Sequence, residues 1–220
     1  LLDEVASLVE RPKPILGRFD KRYLELPKEV LLTSMESHQK SFGLEDASGQ
    51  LLPFFLCTLN LEPKDLNLVR IGWERVLKAR LEDAAFFWKV DSKATLEQWQ
   101  NELDKVVFLG PLGSMGDKAK RLQEVTDYLA SQVRSDLKND AVRAAALAKV
   151  DLVSEMVGEF ADLQGLMGGI YARQKGESET VAQAIAEHYL PSGPESEVPK
   201  TVTGGLVSIA DKADALAGCF

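Results

Sequence analysis

Apolar positions at the start of the chain, Leu1, Val5, Leu8 and Val9, follow a helical spacing, and Arg11-Pro12-Lys13-Pro14 closes the run because two prolines forbid its continuation. Ile15–Phe19 and Tyr23–Leu26 then read as short strands around a charged turn. Pro27 suits the first turn of a helix, and Glu29–Ser37 follows it with Val30, Leu31 and Ser34 in register. Lys40–Glu45, the turn Asp46-Ala47-Ser48-Gly49 and Leu51–Asn60 read as a β-hairpin. In its second strand Phe54, Leu56 and Thr58 share one face and Phe55, Cys57 and Leu59 the other, a pattern that predicts burial on both sides.

After Pro63 the period changes. Leu66–Trp88 has no proline, one glycine and apolar residues recurring every three or four positions, which predicts a long helix. Thr95–Phe108 reads as a second helix, broken by Gly110-Pro111-Leu112-Gly113. Ser114 caps a third, expected to run to about Val133, and the alanine-rich segment Asn139–Met156 reads as a core helix, its small side chains permitting close approach. Glu177–His188 and Val202–Ala217 are the last helices, separated by the loop Pro191–Pro199. The fold class is therefore α+β, mostly α-helical, with a small mixed α/β portion in residues 1–108 and a helical domain in residues 109–220.

Composition narrows this little. With 220 residues, 45% of them hydrophobic, the chain is long enough for a substantial core. No apolar run approaches the ~20 residues of a membrane-spanning helix; the richest, Leu51–Leu61, is interrupted by Pro53, Thr58 and Asn60. The acidic start LLDEVASLVE is unlike a signal peptide, so a cytoplasmic protein without membrane partners is expected. The absence of an initial Met and the ending Gly218-Cys219-Phe220 suggest a piece of a longer protein. Cys57 and Cys219 sit among apolar neighbours and are expected to be buried, reduced thiols.

The charge distribution is more informative. The balance of 26 basic to 34 acidic residues gives a net charge of −8, yet two windows are locally positive. Lys64–Arg80 holds five basic residues (Lys64, Arg70, Arg75, Lys78, Arg80) against two acids, and Lys105–Arg121 holds four (Lys105, Lys118, Lys120, Arg121) against one. Positive windows on an acidic body suit contact with RNA at one edge, where phosphate neutralisation supplies affinity; a solvated helix face is the plainer alternative. Trp73, Phe86, Phe87 and Trp88 have a spacing that assigns them to the core rather than to base stacking.

Catalytic motifs are scarce. Gly110–Lys118 lacks the spacing of a phosphate-binding loop, so its glycines are expected to serve a helix start from which Lys118 and Arg121 project. No G-x-S-x-G elbow exists, and only two histidines, His38 and His188, are available. The order Lys149-Val150-Asp151, Glu187-His188 and Ala210-Asp211-Lys212-Ala213-Asp214 resembles the HD superfamily of metal-dependent phosphohydrolases, helical proteins with a His-Asp pair and a distant Asp. Here Lys149 stands at the pair's histidine position, and a protonated ammonium repels a metal. Asp151, His188, Asp211 and Asp214 remain as a thin ligand set for an alternative reading as a phosphohydrolase.

Several longer segments together are similar to one family, the beta subunit of the bacterial heterotetrameric glycyl-tRNA synthetase. They are Ser34–Phe42 (SMESHQKSF), Val76–Phe87 (VLKARLEDAAFF), Leu109–Lys118 (LGPLGSMGDK), Lys149–Phe160 (KVDLVSEMVGEF), Leu163–Gly168 (LQGLMG), Tyr171-Ala172-Arg173 and Ala210–Gly218 (ADKADALAG). The resemblance implies an internal fragment: the end of an N-terminal α/β region, then an HD-superfamily-like helical domain, without the anticodon-binding domain. It implies tRNA binding rather than catalysis, with no catalytic residue or metal site in this fragment. The partners it implies are glycine tRNA and an alpha subunit, in a tetramer of two alpha and two beta subunits. ATP and magnesium are expected in the alpha subunit, and no cofactor here. The basic residues placed to meet RNA are Lys40, Lys78, Arg80, Lys118, Arg121 and Arg173, with pairing to Glu82, Asp83 or a buried acid as the alternative for Arg80 and bracing of the glycine-rich turn as the alternative for Arg173. A structural spacer that touches no RNA is the remaining alternative.

Overall fold

The computed structural model describes residues 1–219, with His38 described by its backbone alone; Phe220 lies outside the described residues. The chain forms two compact units, Leu1–Lys89 and the residues from Val90 onward. The sequence places this division at 108/109, further along the chain.

In the first unit, helix α1 (Leu2–Leu8) leads into strand β1 (Lys13–Arg18). Helix α2 (Lys28–Gln39) is followed by β2 (Phe42–Glu45) and β3 (Leu51–Leu59). The antiparallel sheet has the order β1-β3-β2, with Ile15 opposite Cys57, Arg18 opposite Phe54 and Phe42 opposite Leu56. The Asp46 carboxylate holds the β2–β3 turn by accepting from the amides of Ser48 (2.8 Å) and Gln50 (3.0 Å). Burial on β3 is one-sided, contrary to the two-sided expectation: Pro53, Phe55 and Cys57 are buried, while Phe54 is exposed. Gly17 lies opposite Phe55, whose ring occupies the space that a Cβ at Gly17 would take.

Tyr23–Leu26 is not a strand but belongs to a 3₁₀ turn over Lys21–Glu25, because the Asp20 carboxylate accepts from the Arg22 amide at 3.0 Å and starts a turn. Helix α3 (Leu66–Asp91) is the long helix that the periodicity predicts, with Leu77, Leu81 and Ala84 fully buried. Of its aromatic residues Trp73, Phe87 and Trp88 are half-buried, but Phe86 is 62% exposed, which corrects its assignment to the core.

The second unit is almost entirely helical. Helix α4 (Leu96–Leu103) carries a Thr95/Gln98 capping box. It is shorter than Thr95–Phe108 because Val107–Leu109 forms strand β4, paired with β5 (Gly113–Ser114). Helix α5 (Met115–Val133) follows. Helix α6 (Lys138–Leu147) buries Ala141, Ala144 and Ala145 completely and packs against α5, α9 (Glu179–Glu187) and α10 (Val202–Cys219). The long helix read over Asn139–Met156 breaks after Leu147: a 3₁₀ turn covers Val150–Val153, and Ser154 caps a new short helix, α7 (Glu155–Glu159). A residue distant in sequence joins Ser154 in holding the start of α7. Asp91 accepts from the amides of Glu155 and Met156 (3.0 Å each) and from the hydroxyl of buried Tyr171 (2.7 Å).

Helix α8 (Leu166–Gln174) completes the bundle; its Gly168 and Gly169 allow α9 to approach, since a Cβ at either would meet Ile185, Ala182 or Ala186. Before α10, the Glu187 carboxylate accepts from the Thr201 amide (3.0 Å) and hydroxyl (2.7 Å), joining the two ends of the intervening loop. Among the described residues no helix is long and apolar enough to cross a membrane.

Candidate functional site

Polar side chains from α5 and α10 and from His188, just after α9, converge with Lys149, two residues past the end of α6. Lys149 is 2% exposed, and its Nζ lies 2.9 Å from both His188 Nε2 and Asp211 Oδ2 and 3.8 Å from the centre of the Tyr189 ring. The His188 tautomer follows from its partners. Nδ1 faces the Ile185 carbonyl at 2.6 Å and must carry the proton, so Nε2 offers its lone pair to the Lys149 ammonium. Lys118, whose side chain is 4% exposed, pairs with Asp211 Oδ1 (2.9 Å) and Asp214 Oδ2 (3.0 Å). Arg121 completes the chain of charges, its Nε 2.5 Å from Asp214 Oδ1 and its Nη1 donating to the Leu112 carbonyl at 3.0 Å.

Burial shapes the ionisation of Lys149, His188, Asp211 and Asp151. It pushes Lys149 down to about 8 against the opposing pull of Asp211, and His188 down to about 3 with help from the neighbouring ammonium. Burial also works to raise Asp211, but Lys149 and Lys118 override it and hold that carboxylate below its ordinary range. Asp151 is pushed up to about 6 by burial, although its Oδ2 accepts from the amides of Gly165 (2.6 Å) and Gly168 (2.9 Å). Its Oδ1 is buried with no hydrogen-bond partner among the described residues.

This arrangement does not suit a divalent cation. Of the atoms that would serve as ligands, His188 Nε2 and both Asp211 oxygens already face ammonium groups, and Asp214 is paired with Lys118 and Arg121. Among the described residues no group of three or more His, Cys, Asp or Glu side chains is placed to hold a metal. The loop before α5 is equally unsuited to phosphate. The Asp117 carboxylate occupies the helix start, accepting from the Ser114 amide at 3.0 Å while Ser114 Oγ accepts from the Asp117 amide at 3.1 Å.

The six basic residues expected to meet RNA are divided between the two units, three in each. Lys118 is interior, so its charge serves Asp211 and Asp214 rather than an outside phosphate, which removes it from the RNA-facing set. Arg121 is partly exposed but committed to Asp214. Arg173, at the end of α8, forms a two-pronged pair with Glu179. In the first unit, Lys40 ends α2 in a left-handed conformation (φ 49°) and pairs with Glu4 at 2.8 Å. Arg80 is half-buried on α3, and Lys78 is exposed there, 3.7 Å from Glu82.

Lys78 also lines a groove of about 720 Å³ together with Arg18, Lys21 and Arg75. Arg75 lies in a basic window of the sequence; Arg18 and Lys21 do not, and the end of β1 and the 3₁₀ turn after it bring them alongside it. Cys57 is buried, its thiol pushed up to about 11 by burial, whereas Cys219 is exposed, which corrects the expectation of two buried thiols.

Comparison with known proteins agrees across the chain. The family model described as "Glycyl-tRNA synthetase beta subunit" matches residues 1–220. The chain is 64% identical over 220 residues to the glycine–tRNA ligase beta subunit of Nitratidesulfovibrio vulgaris strain DP4, 56% to that of Lawsonia intracellularis and 48% to that of Pseudomonas savastanoi pv. phaseolicola. Each match covers all of this chain and 32% of the relative, so the chain spans about a third of the length of these curated relatives.

Proposed function

Since the chain belongs to the glycyl-tRNA synthetase beta subunit family, we propose that it is a tRNA-binding, non-catalytic portion of such a subunit. It supports the attachment of glycine to its tRNA by an alpha subunit, which would handle ATP and magnesium, in a cytoplasmic assembly of two alpha and two beta subunits. The second unit acts as an HD-like scaffold whose ligand atoms are held by lysines instead of a metal.

One observation carries the RNA-binding part of this reading. On a chain of net charge −8, Arg18, Lys21 and Arg75 stand exposed in one groove without an ion-pair partner among the described residues. Unneutralised cations gathered on an acidic body are what a polyanion requires, because each phosphate they neutralise releases counterions. The interior cations, by contrast, are matched by carboxylates and remain unavailable.

The test is fluorescence anisotropy of labelled glycine tRNA with the full chain, over a salt series and beside a non-cognate tRNA. Binding that weakens steeply with salt is expected, and a cognate preference would add specificity. A folded chain that binds no tRNA at low salt would leave a structural spacer.

A further inference from the structure

The groove has features that a duplex does not use. Arg18, at the end of β1, lies directly opposite Phe54 on β3, so the two side chains leave the same face of the sheet side by side. Both are exposed, Phe54 by 37%. The chain turns at once from Arg18 through Phe19, whose amide donates to the Pro53 carbonyl at 3.1 Å, to Lys21 at the start of the 3₁₀ turn. The opposite wall is α3, where Ile71, Arg75 and Lys78 recur at four and three residues and so line one helical face; Ile71 is 43% exposed. The floor is therefore apolar and aromatic and the walls cationic.

The two acids in the groove are already engaged. Glu74 accepts from the Arg18 amide at 3.1 Å and lies 3.9 Å from Arg70 Nε, and Asp20 accepts from the Arg22 amide at 3.0 Å. The groove's volume, about 720 Å³, falls within the ~300–1,000 Å³ of pockets that enclose small ligands.

We infer that this groove binds an unpaired segment of RNA, with a base lying on Phe54 and the flanking phosphates held by Arg18, Lys21 and Arg75. The inference rests on the tRNA-binding reading and narrows it to single-stranded nucleotides at one place. In A-form duplex the base faces are stacked on one another and cannot reach an aromatic side chain, whereas an unpaired base presents its π-face. An acidic peptide would satisfy the cations but has no use for an exposed ring beside Arg18. Charge and ring together favour RNA.

The experiment uses the full chain with a fluorescein-labelled nine-nucleotide RNA free of self-complementarity, and with a duplex of equal length. Tighter binding of the single strand is expected. Phe54→Ala should weaken single-strand binding about ten-fold and leave the duplex unaffected, while Phe54→Tyr, which keeps the ring, should bind like the parent. Arg75→Glu and Lys21→Glu should each weaken binding and flatten its salt dependence, and Lys105→Glu, in the second unit and not among the residues that line the groove, should do neither. Circular dichroism establishes that each variant is folded.

Preference for the duplex, or a folded Phe54→Ala that binds the single strand like the parent, would overturn the inference. Displacement of the RNA by polyglutamate at equal charge would reassign the groove to an acidic protein surface. If glycine tRNA binds the parent and every groove variant alike, the groove falls and the tRNA-binding reading stands. If the parent binds no tRNA, the reading itself falls.

Discussion

Lys118 and Lys149 in the second unit and Arg18, Lys21 and Arg75 in the first carry the same charge under opposite conditions. The two lysines are almost completely removed from water, and their charges are met by Asp211 and Asp214 within 3.0 Å. The other three are exposed, with no carboxylate in ion-pair range among the described residues. A buried charge is tolerable only when paired, so each interior cation has become part of the fold. An exposed charge costs little to leave unpaired and remains available for a ligand. Water access, rather than residue type or local charge density, therefore separates the scaffold from the surface that a partner can reach.

The largest effect that would test this contrast is on Asp211. Asp211→Ala leaves Lys149 and Lys118 short of a counter-charge in the interior and should cost about 3–5 kcal/mol of stability in urea unfolding. A loss below about 1 kcal/mol would mean that the interior charges do not depend on one another.

Acid titration offers a finer probe. His188 is held neutral down to about 3, whereas the unfolded chain takes up this proton near 6.5. Stability should therefore fall as the pH drops below 6.5, by at most ~1.4 kcal/mol per pH unit. Asp151, raised to about 6, has the opposite sign: the folded state protonates first, so stability is gained as the pH falls from 6 towards the unfolded carboxylate value. Lys149 and Asp211, which face His188, do not change charge in this window. In Asp151→Asn the histidine slope should stand alone, a loss of about 1.6 kcal/mol between pH 6.5 and 5, with a smaller loss in the parent. Equal slopes in urea unfolding of the two proteins would contradict this balance.

The smallest effect sharpens the contrast from the other side. Arg75→Ala should change stability by no more than about 0.5 kcal/mol while weakening RNA binding, because nothing in the fold depends on its charge. A larger loss of stability would place Arg75 among the structural cations.

How much of this was legible in the sequence depended on the range of the interactions involved. The Asp46–Gly49 turn, the Ser114 cap and the long helix α3 are set by residues close to one another along the chain, and each lies where pattern and propensity place it. The break after Leu147 does not: the residues around it suit a helix, and beside the local Ser154 cap the start of α7 is held by Asp91, far away in sequence. Lys118 falls in a basic window, and nothing near it in sequence marks it as interior, because its two carboxylate partners lie over ninety residues further on. The groove was half legible. Its α3 wall repeats at helical intervals within one window, but Arg18 enters only through the β1–β3 register. The family likeness was readable because it rests on ordered segments rather than on any single contact.

The clasp between Glu187 and Thr201 has a consequence for the evolution of this chain. By joining the two ends of the loop through one carboxylate, it separates the positions of α9 and α10 from the length of what runs between them. Closure entropy rises only logarithmically, about 0.6 kcal/mol for each doubling of a flexible loop. Residues 191–200 are thus a place where insertions can accumulate, or a tag be grafted, while the helices on either side keep their register.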